Sequence, residues 1–197
     1  MSLWIKICGV QDVSTAQAAC EAGADAIGLV FAESPRRVSI ARAQEIRAVL
    51  PGRVEVFAVV RGMKVDEILA LLAEVSVDAL QFHCDDGMFP DFDFGVELVP
   101  AIPAGFIKTC DALGLRGRRF IVDAPRGAGS GISWGYREVA GAGERLILAG
   151  GLGPANVAAA IAAARPWGVD VSSGVEVRRG IKDAALIREF IEKARKA

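Results

Sequence analysis

Eight short apolar runs, rich in β-branched residues, recur along this chain at an even pace, at residues 3–8, 26–31, 54–60, 79–83, 96–102, 120–123, 146–149 and 169–171. Apolar runs of this length without polar alternation read as strands covered on both faces. Between them lie stretches of helical period with one polar face, clearest at 14–22, 40–50, 65–75, 154–164 and 183–196. Strand and helix alternate, so the sheet should be parallel with helices packed against it. Eight units of roughly 25 residues within 197 meet the lower length of a (β/α)8 barrel, a TIM barrel in one domain spanning residues 1–197. The fourth and fifth helices should be poorly formed, because residues 85–94 and 105–115 lack clear periodicity. An open doubly wound sheet is the structural alternative, but the G-x-G-x-x-G turn it usually carries after strand one is replaced by Cys8-Gly9-Val10.

Composition excludes several functions. Hydrophobic residues make up 52% and charged residues 24%, enough for one sizeable core. Lys and Arg number 23 against 24 Asp and Glu, so no basic field exists for a nucleic-acid backbone. No nucleic acid partner is expected, and no membrane either, because the apolar runs fall far short of the ~20 residues of a span. Lys6 interrupts the N-terminal apolar stretch, so no signal peptide is expected. The four cysteines, Cys8, Cys20, Cys84 and Cys110, form no C-x-x-C pair and fit reduced thiols in a cytoplasmic protein. With His83 the single histidine, acid–base work falls to carboxylates or thiols.

A barrel of this kind carries its active site at the C-terminal ends of the strands. Cys8, the loop Ser34-Pro35-Arg36-Arg37, His83, Asp123, the turn Gly150-Gly151 and the turn Ser172-Ser173-Gly174 lie there. The last two follow strands seven and eight and leave backbone N–H groups to bind phosphate, although glycines also serve simply as turn residues. Strand alternation turns Trp4, Lys6 and Cys8 one way and Ile5 and Ile7 the other. Cys8 is either a small core residue or a base, and as a base it needs help to ionise, from Lys6 or a serine hydroxyl. Asp123 is either a helix cap or a functional carboxylate, and the glycine-rich stretch 127–131 after it reads as a loop over a site. Asp170, inside strand eight, reads as an ion-pair partner of Lys6. Arg36 and Arg37 are either a solvated pair or a forked carboxylate clamp. His83 reads as a satisfied strand-end histidine with proton transfer as the alternative, and Trp134 and Tyr136 as core or rim aromatics.

Lys6-Ile7-Cys8-Gly9, Ser34-Pro35-Arg36, Leu80-Gln81-Phe82-His83, Asp123 with its glycine loop, Leu148-Ala149-Gly150-Gly151-Leu152 and Gly168-Val169-Asp170-Val171-Ser172-Ser173-Gly174-Val175-Glu176, in this order, resemble phosphoribosylanthranilate isomerase. The resemblance covers essentially the whole chain. It implies the step of tryptophan biosynthesis that converts N-(5-phosphoribosyl)anthranilate to 1-(2-carboxyphenylamino)-1-deoxyribulose 5-phosphate, with no metal or organic cofactor. It further implies Cys8 as general base, Asp123 as general acid, and Arg36 on the anthranilate carboxylate. Gly150, Gly151, Ser172, Ser173 and Gly174 would hold the phosphate, and Lys6 and Asp170 would stand behind Cys8 and tune it. The implied partner is a phosphorylated small molecule, and the implied assembly a monomer or homodimer.

Three departures touch the rim of such a site: Cys84 where the family usually has glycine, Ile132-Ser133-Trp134 where Phe-Asp-Trp is commoner, and a truncated fourth helix. The nearest rival is the histidine-pathway Amadori isomerase, which resembles this fold but usually places aspartate where Cys8 stands. A barrel that binds phosphate without catalysis would need neither Cys8 nor Asp123. Chemistry like that of indole-glycerol-phosphate synthase would want a strand-end lysine, and Lys6 sits two residues too deep.

Overall fold

The computed structural model describes residues 2–84, 90–109, 114–115, 117–123 and 135–197. Eight parallel strands close into a barrel in sequence order: β1 (Trp4–Cys8), β2 (Ala26–Val30), β3 (Glu55–Val60), β4 (Ala79–His83), β5 (Glu97–Pro103), β6 (Phe120–Asp123), β7 (Leu146–Leu148) and β8 (Gly168–Val171), with β8 pairing back onto β1. All eight expected strands form, each within two residues of its expected limits. Helices α1 (Val13–Glu21), α2 (Ile40–Val49), α3 (Val65–Glu74), α4 (Val157–Ala164) and α5 (Ala184–Lys196) lie outside the barrel. Local chemistry starts them: Asp12 accepts from Thr15 N at 2.7 Å, Ser39 from Arg42 N at 3.2 Å, and Asp183 from both Ala185 N and Leu186 N.

The described part of the fourth connection holds no helix, and the fifth carries a 3-10 turn at Ala104–Thr109, while residues 85–89 and 110–113, on which the expectation of poorly formed helices also rests, fall outside the described residues. The sixth has a 3-10 turn at Tyr136–Val139. The glycine stretch 127–131, Ile132, Ser133, Trp134 and Cys110 fall outside the described residues. Helix α4 starts three residues later than its periodicity suggests. Asn156 accepts from Gly153 N and donates to the Gly151 carbonyl, both at 2.8 Å, so residues 153–156 are committed to holding the preceding turn. Beyond β8 lies an element that apolar patterning did not announce, an antiparallel hairpin of β9 (Glu176–Arg178) and β10 (Ile181–Lys182). Its signal is the alternation Val175-Glu176-Val177-Arg178 beside Arg179-Gly180, with Gly180 at φ +85°.

The strands separate two apolar layers. Ile5, Ile7, Ile27 and Leu29 pack outward against the helices, and Ala26, Phe57, Val99, Ile121 and Ile147 fill the barrel. Its N-terminal end is closed by Arg119, which bonds the carboxylates of Glu97 and Glu55 and lies over the rings of Trp4 and Phe57 at 5.6 and 5.3 Å. No described helix is long and apolar enough to cross a membrane.

Candidate active site

Cys8 is the last residue of β1, and its alternation with Ile7 turns it, with Lys6, into the barrel. Lys6 is fully buried and its ammonium lies 3.0 Å from Asp170 Oδ1. Burial alone would lower the pKa of Lys6, but the Asp170 carboxylate and the Cys8 sulfur outweigh it and leave it raised, so the lysine is a fixed cation behind the thiol. Burial pushes the Cys8 thiol up, and Lys6, Asp170 and Lys182 then contend over it, the two ammonium groups favouring the thiolate. Gly28 on β2 makes room for this cluster. A Cβ there would stand 2.8 Å from Cys8 Sγ and 3.0 Å from Lys6 Nζ.

Arg36 and Arg37 separate cleanly in three dimensions. Arg37 is exposed, whereas Arg36 is 8% exposed and lies across the turn after β1. Gly9, at φ +74°, permits that crossing, because a Cβ would stand 2.6 Å from Arg36 Cδ. The guanidinium fork is already engaged within the chain: Nε donates to Glu176 Oε1 at 2.7 Å and Nη2 to Oε2 at 3.0 Å. Glu176 also accepts from Lys182 Nζ at 2.8 Å and from Gly180 N at 3.1 Å. Burial would raise the Glu176 pKa, but these donors hold it down to about 2, so it is a carboxylate throughout the physiological range. Lys182 completes the set by donating to the carbonyl and hydroxyl of Ser172 at 2.9 and 3.2 Å. One hairpin carboxylate thus ties the Arg36 loop to the turn after β8.

That turn meets its neighbour closely. A Cβ on Gly174 would fall 1.8 Å from the Leu152 carbonyl oxygen and 2.8 Å from Gly153 Cα, so the turns after β7 and β8 pack backbone against backbone. Gly150 and Gly151 both have positive φ, +81° and +66°. Tyr136 donates to the Gly150 carbonyl at 3.1 Å and Asn156 to that of Gly151, which fixes both peptide planes. Among the described residues the N–H groups of Gly150 and Gly151 take no partner. Tyr136 is thereby a support of this turn as well as a buried aromatic.

These parts share one cavity of about 250 Å³ at the C-terminal end of the barrel, bordered by Cys8, Arg36, Asp123, Gly150, Gly151 and Ser173, among others. Ser172, Asp170 and His83 also border it. Asp123 ends β6, three strand positions from Cys8 around the barrel, and is buried at 8% exposure. On β4, Gln81 Nε2 and His83 Nε2 lie 3.1 Å apart, which gives the histidine a structural partner. Cys84 does not reach the rim. It is buried among the residues between barrel and helices, with its Sγ 3.5 Å from the Phe82 carbonyl, because the step from His83 turns it to the opposite face. Among the described residues no cluster of three His, Cys, Asp or Glu side chains could hold a metal ion.

Residues 5–193 match the family model described as N-(5'phosphoribosyl)anthranilate (PRA) isomerase. The chain belongs to the phosphoribosylanthranilate isomerase family. A curated isomerase of this family from Pseudomonas paraeruginosa is 41% identical over 97% of this chain and 94% of its own length, and one from Afipia carboxidovorans is 39% identical over 100% and 91%. The phosphoribosyl anthranilate isomerase of Thermotoga maritima has a TM-score of 0.85 at 30% identity, covering 99% of this chain and all of its own. A second structure, of such an isomerase in complex with reduced 1-(o-carboxyphenylamino)-1-deoxyribulose 5-phosphate, has a TM-score of 0.80 at 30% identity, with the same coverage of both chains. The structure places Cys8, Arg36, Asp123, Gly150, Gly151, Asp170, Ser172 and Ser173 around one end of the barrel, with Lys6 beneath Cys8 and Gly174 in the turn after β8. Patterning alone assigned no part to Gly28, Lys182 or Asn156, because each acts through a neighbour that only folding supplies.

Proposed function

We propose that this chain, working as one barrel domain over residues 1–197, isomerises N-(5-phosphoribosyl)anthranilate with Cys8 as general base and Asp123 as general acid. The observation that carries the assignment is a buried thiol and a buried carboxylate on well-separated strands of one cavity whose rim holds an arginine and two glycine turns. The carboxylic acid of Asp123 gives its proton to the ribose ring oxygen as the C1–O bond breaks, leaving an iminium on the anthranilate nitrogen. That iminium withdraws electrons from C2, whose proton the Cys8 thiolate takes to form an enolamine. The enolamine gains a proton at C1 and loses that of its hydroxyl, which yields the ketone. Lys6 favours the thiolate by its charge, and Asp170 keeps Lys6 oriented and protonated.

The substrate phosphate fits the N–H groups of Gly150 and Gly151, together with the Ser172 and Ser173 turn. Removing the phosphate from the substrate is expected to lower kcat/KM by about 10²-fold, the loss of one or two charge-assisted hydrogen bonds, and equal rates with and without it would refute this placement. Gly174→Val reports on something else: its side chain would strike the Leu152 carbonyl and force the two turns apart.

The carboxylate of the anthranilate ring fits the end of Arg36 that Glu176 leaves available, formed by Nη1 and the second N–H of Nη2. Arg36→Lys removes that edge and also the fork on Glu176. It should raise KM about tenfold or more, with Arg37→Lys nearly silent, and equal effects from the two in steady-state kinetics would show a diffuse charge effect instead. The decisive assay is incubation of the purified protein with freshly made phosphoribosylanthranilate, following loss of its anthranilate fluorescence. Rapid loss supports the reading, and turnover of the histidine-pathway aminoaldose alone overturns it.

A further inference from the structure

Three arginines border the cavity, Arg36, Arg61 and Arg179, and the last stands on the same hairpin as Glu176. Lys6 is paired with Asp170, and Arg36 and Lys182 share Glu176, so each of these charges is at least partly compensated inside the protein. Arg179 also borders the cavity, is exposed, and has no carboxylate partner among the described residues. Its backbone is nevertheless held. The next residue, Gly180, donates to Glu176 Oε2, and a Cβ on Gly180 would stand 3.0 Å from the Pro35 carbonyl oxygen, so the hairpin tip lies directly against the Ser34-Pro35-Arg36 loop. Gln11 reinforces that loop by donating to the Pro35 carbonyl at 3.1 Å.

We infer that Arg179 is a second arginine for the carboxylate of the substrate's aromatic end, acting beside Arg36; this rests on the reading of the substrate as phosphoribosylanthranilate. Three observations favour the carboxylate over the phosphate. The tip of the hairpin contacts the arginine loop, the phosphate turns carry their own N–H donors, and Lys182 already serves Ser172 from the buried side. The inference also accounts for the charge that Glu176 takes from Arg36: a ligand carboxylate facing a half-neutralised guanidinium gains from a nearby unpaired one. Glu33, an exposed carboxylate bordering the same cavity, opposes the ligand's charge, and a cation on the same rim offsets that opposition. Because Arg179 is exposed, its attraction should be modest and weakened by salt.

The test is steady-state kinetics of the wild-type chain and the variants Arg179→Ala, Arg179→Glu and Arg178→Ala. Arg178 is exposed on the same hairpin but does not border the cavity. Arg179→Ala should raise KM by about fivefold with kcat within about twofold, Arg179→Glu should raise it further, and Arg178→Ala should leave it unchanged. The KM difference between wild type and Arg179→Ala should shrink at high salt. Competition by inorganic phosphate and by 2-aminobenzoate separates the two anionic ends of the substrate: Arg179→Ala should weaken only 2-aminobenzoate. Weakening of phosphate alone, or identical KM values for wild type and both Arg179 variants, would overturn the inference. A wild-type chain that does not turn over phosphoribosylanthranilate at all would instead overturn the functional reading on which it rests.

Discussion

Cys8→Ala should lower kcat by about 10²-fold or more, the ordinary reach of a positioned base, while leaving the affinity for the reduced product analogue largely intact. Binding survives because Arg36, Glu176 and the two glycine turns do not depend on the sulfur for their geometry. The thiol has a second signature. Burial holds its proton on, and the base must be the thiolate, so kcat/KM should rise as pH increases through neutrality into the alkaline range. Lys6 and Lys182 limit how far the rise is displaced, and Lys6→Met should move it to higher pH, because removing the ammonium makes the thiolate harder to form. Cys8→Ser should be slow at every pH in that range, since a hydroxyl does not ionise there. A Cys8→Ala variant with near-normal kcat would return the residue to the role of a small core side chain, a role its 7% exposure would equally fit.

Asp123→Asn should cost kcat a comparable factor of about 10², through a different step. The amide has nearly the shape of the acid but cannot deliver a proton to the ring oxygen, so ring opening should become the slow event. The substitution is isosteric at a buried position, and the thermal midpoint should therefore be measured beside the kinetics. A folded Asp123→Asn protein that still binds the reduced product analogue but turns over slowly places the defect in chemistry. If kcat were retained, the carboxylate would be a structural group at the end of β6, and the acid would have to be sought elsewhere around the cavity. Combining Cys8→Ala with Asp123→Asn should give far less than the product of the two losses once either proton transfer is abolished, as groups acting in one sequence of steps usually do.

Much of the site could be read in the chain because barrel topology converts a position in sequence into a position in space. A polar residue that closes a buried apolar run must emerge at the C-terminal end of a parallel strand, which is why Cys8, Asp123 and the glycine turns after β7 and β8 all border one cavity. The same logic failed one residue further along at Cys84. Strand alternation turns it outward into the layer under the helices, away from the rim where its place next to His83 suggested it would lie. It also passed over the β9–β10 hairpin, whose strands are so short and polar that the alternation from Val175 to Arg178 does not stand out from the turn before α5.

By itself the sequence determined the class of architecture, since eight apolar runs alternating with helical stretches call for a parallel sheet covered by helices, and their spacing with the missing G-x-G-x-x-G turn favoured closure over an open sheet. It also determined which residue types could work as acid and base, because one histidine left that work to thiols and carboxylates. Only the tertiary structure decided what each group experiences. Arg36 was distinguished from Arg37 by the room that Gly9 leaves and by Glu176, a residue 140 positions away in the chain. The ionisation of Cys8 is set by its burial and by a lysine whose own charge is held by Asp170, 164 positions distant. Distances of this kind are governed by long-range packing and by the loss of solvent around charges, and neither is encoded in local patterning.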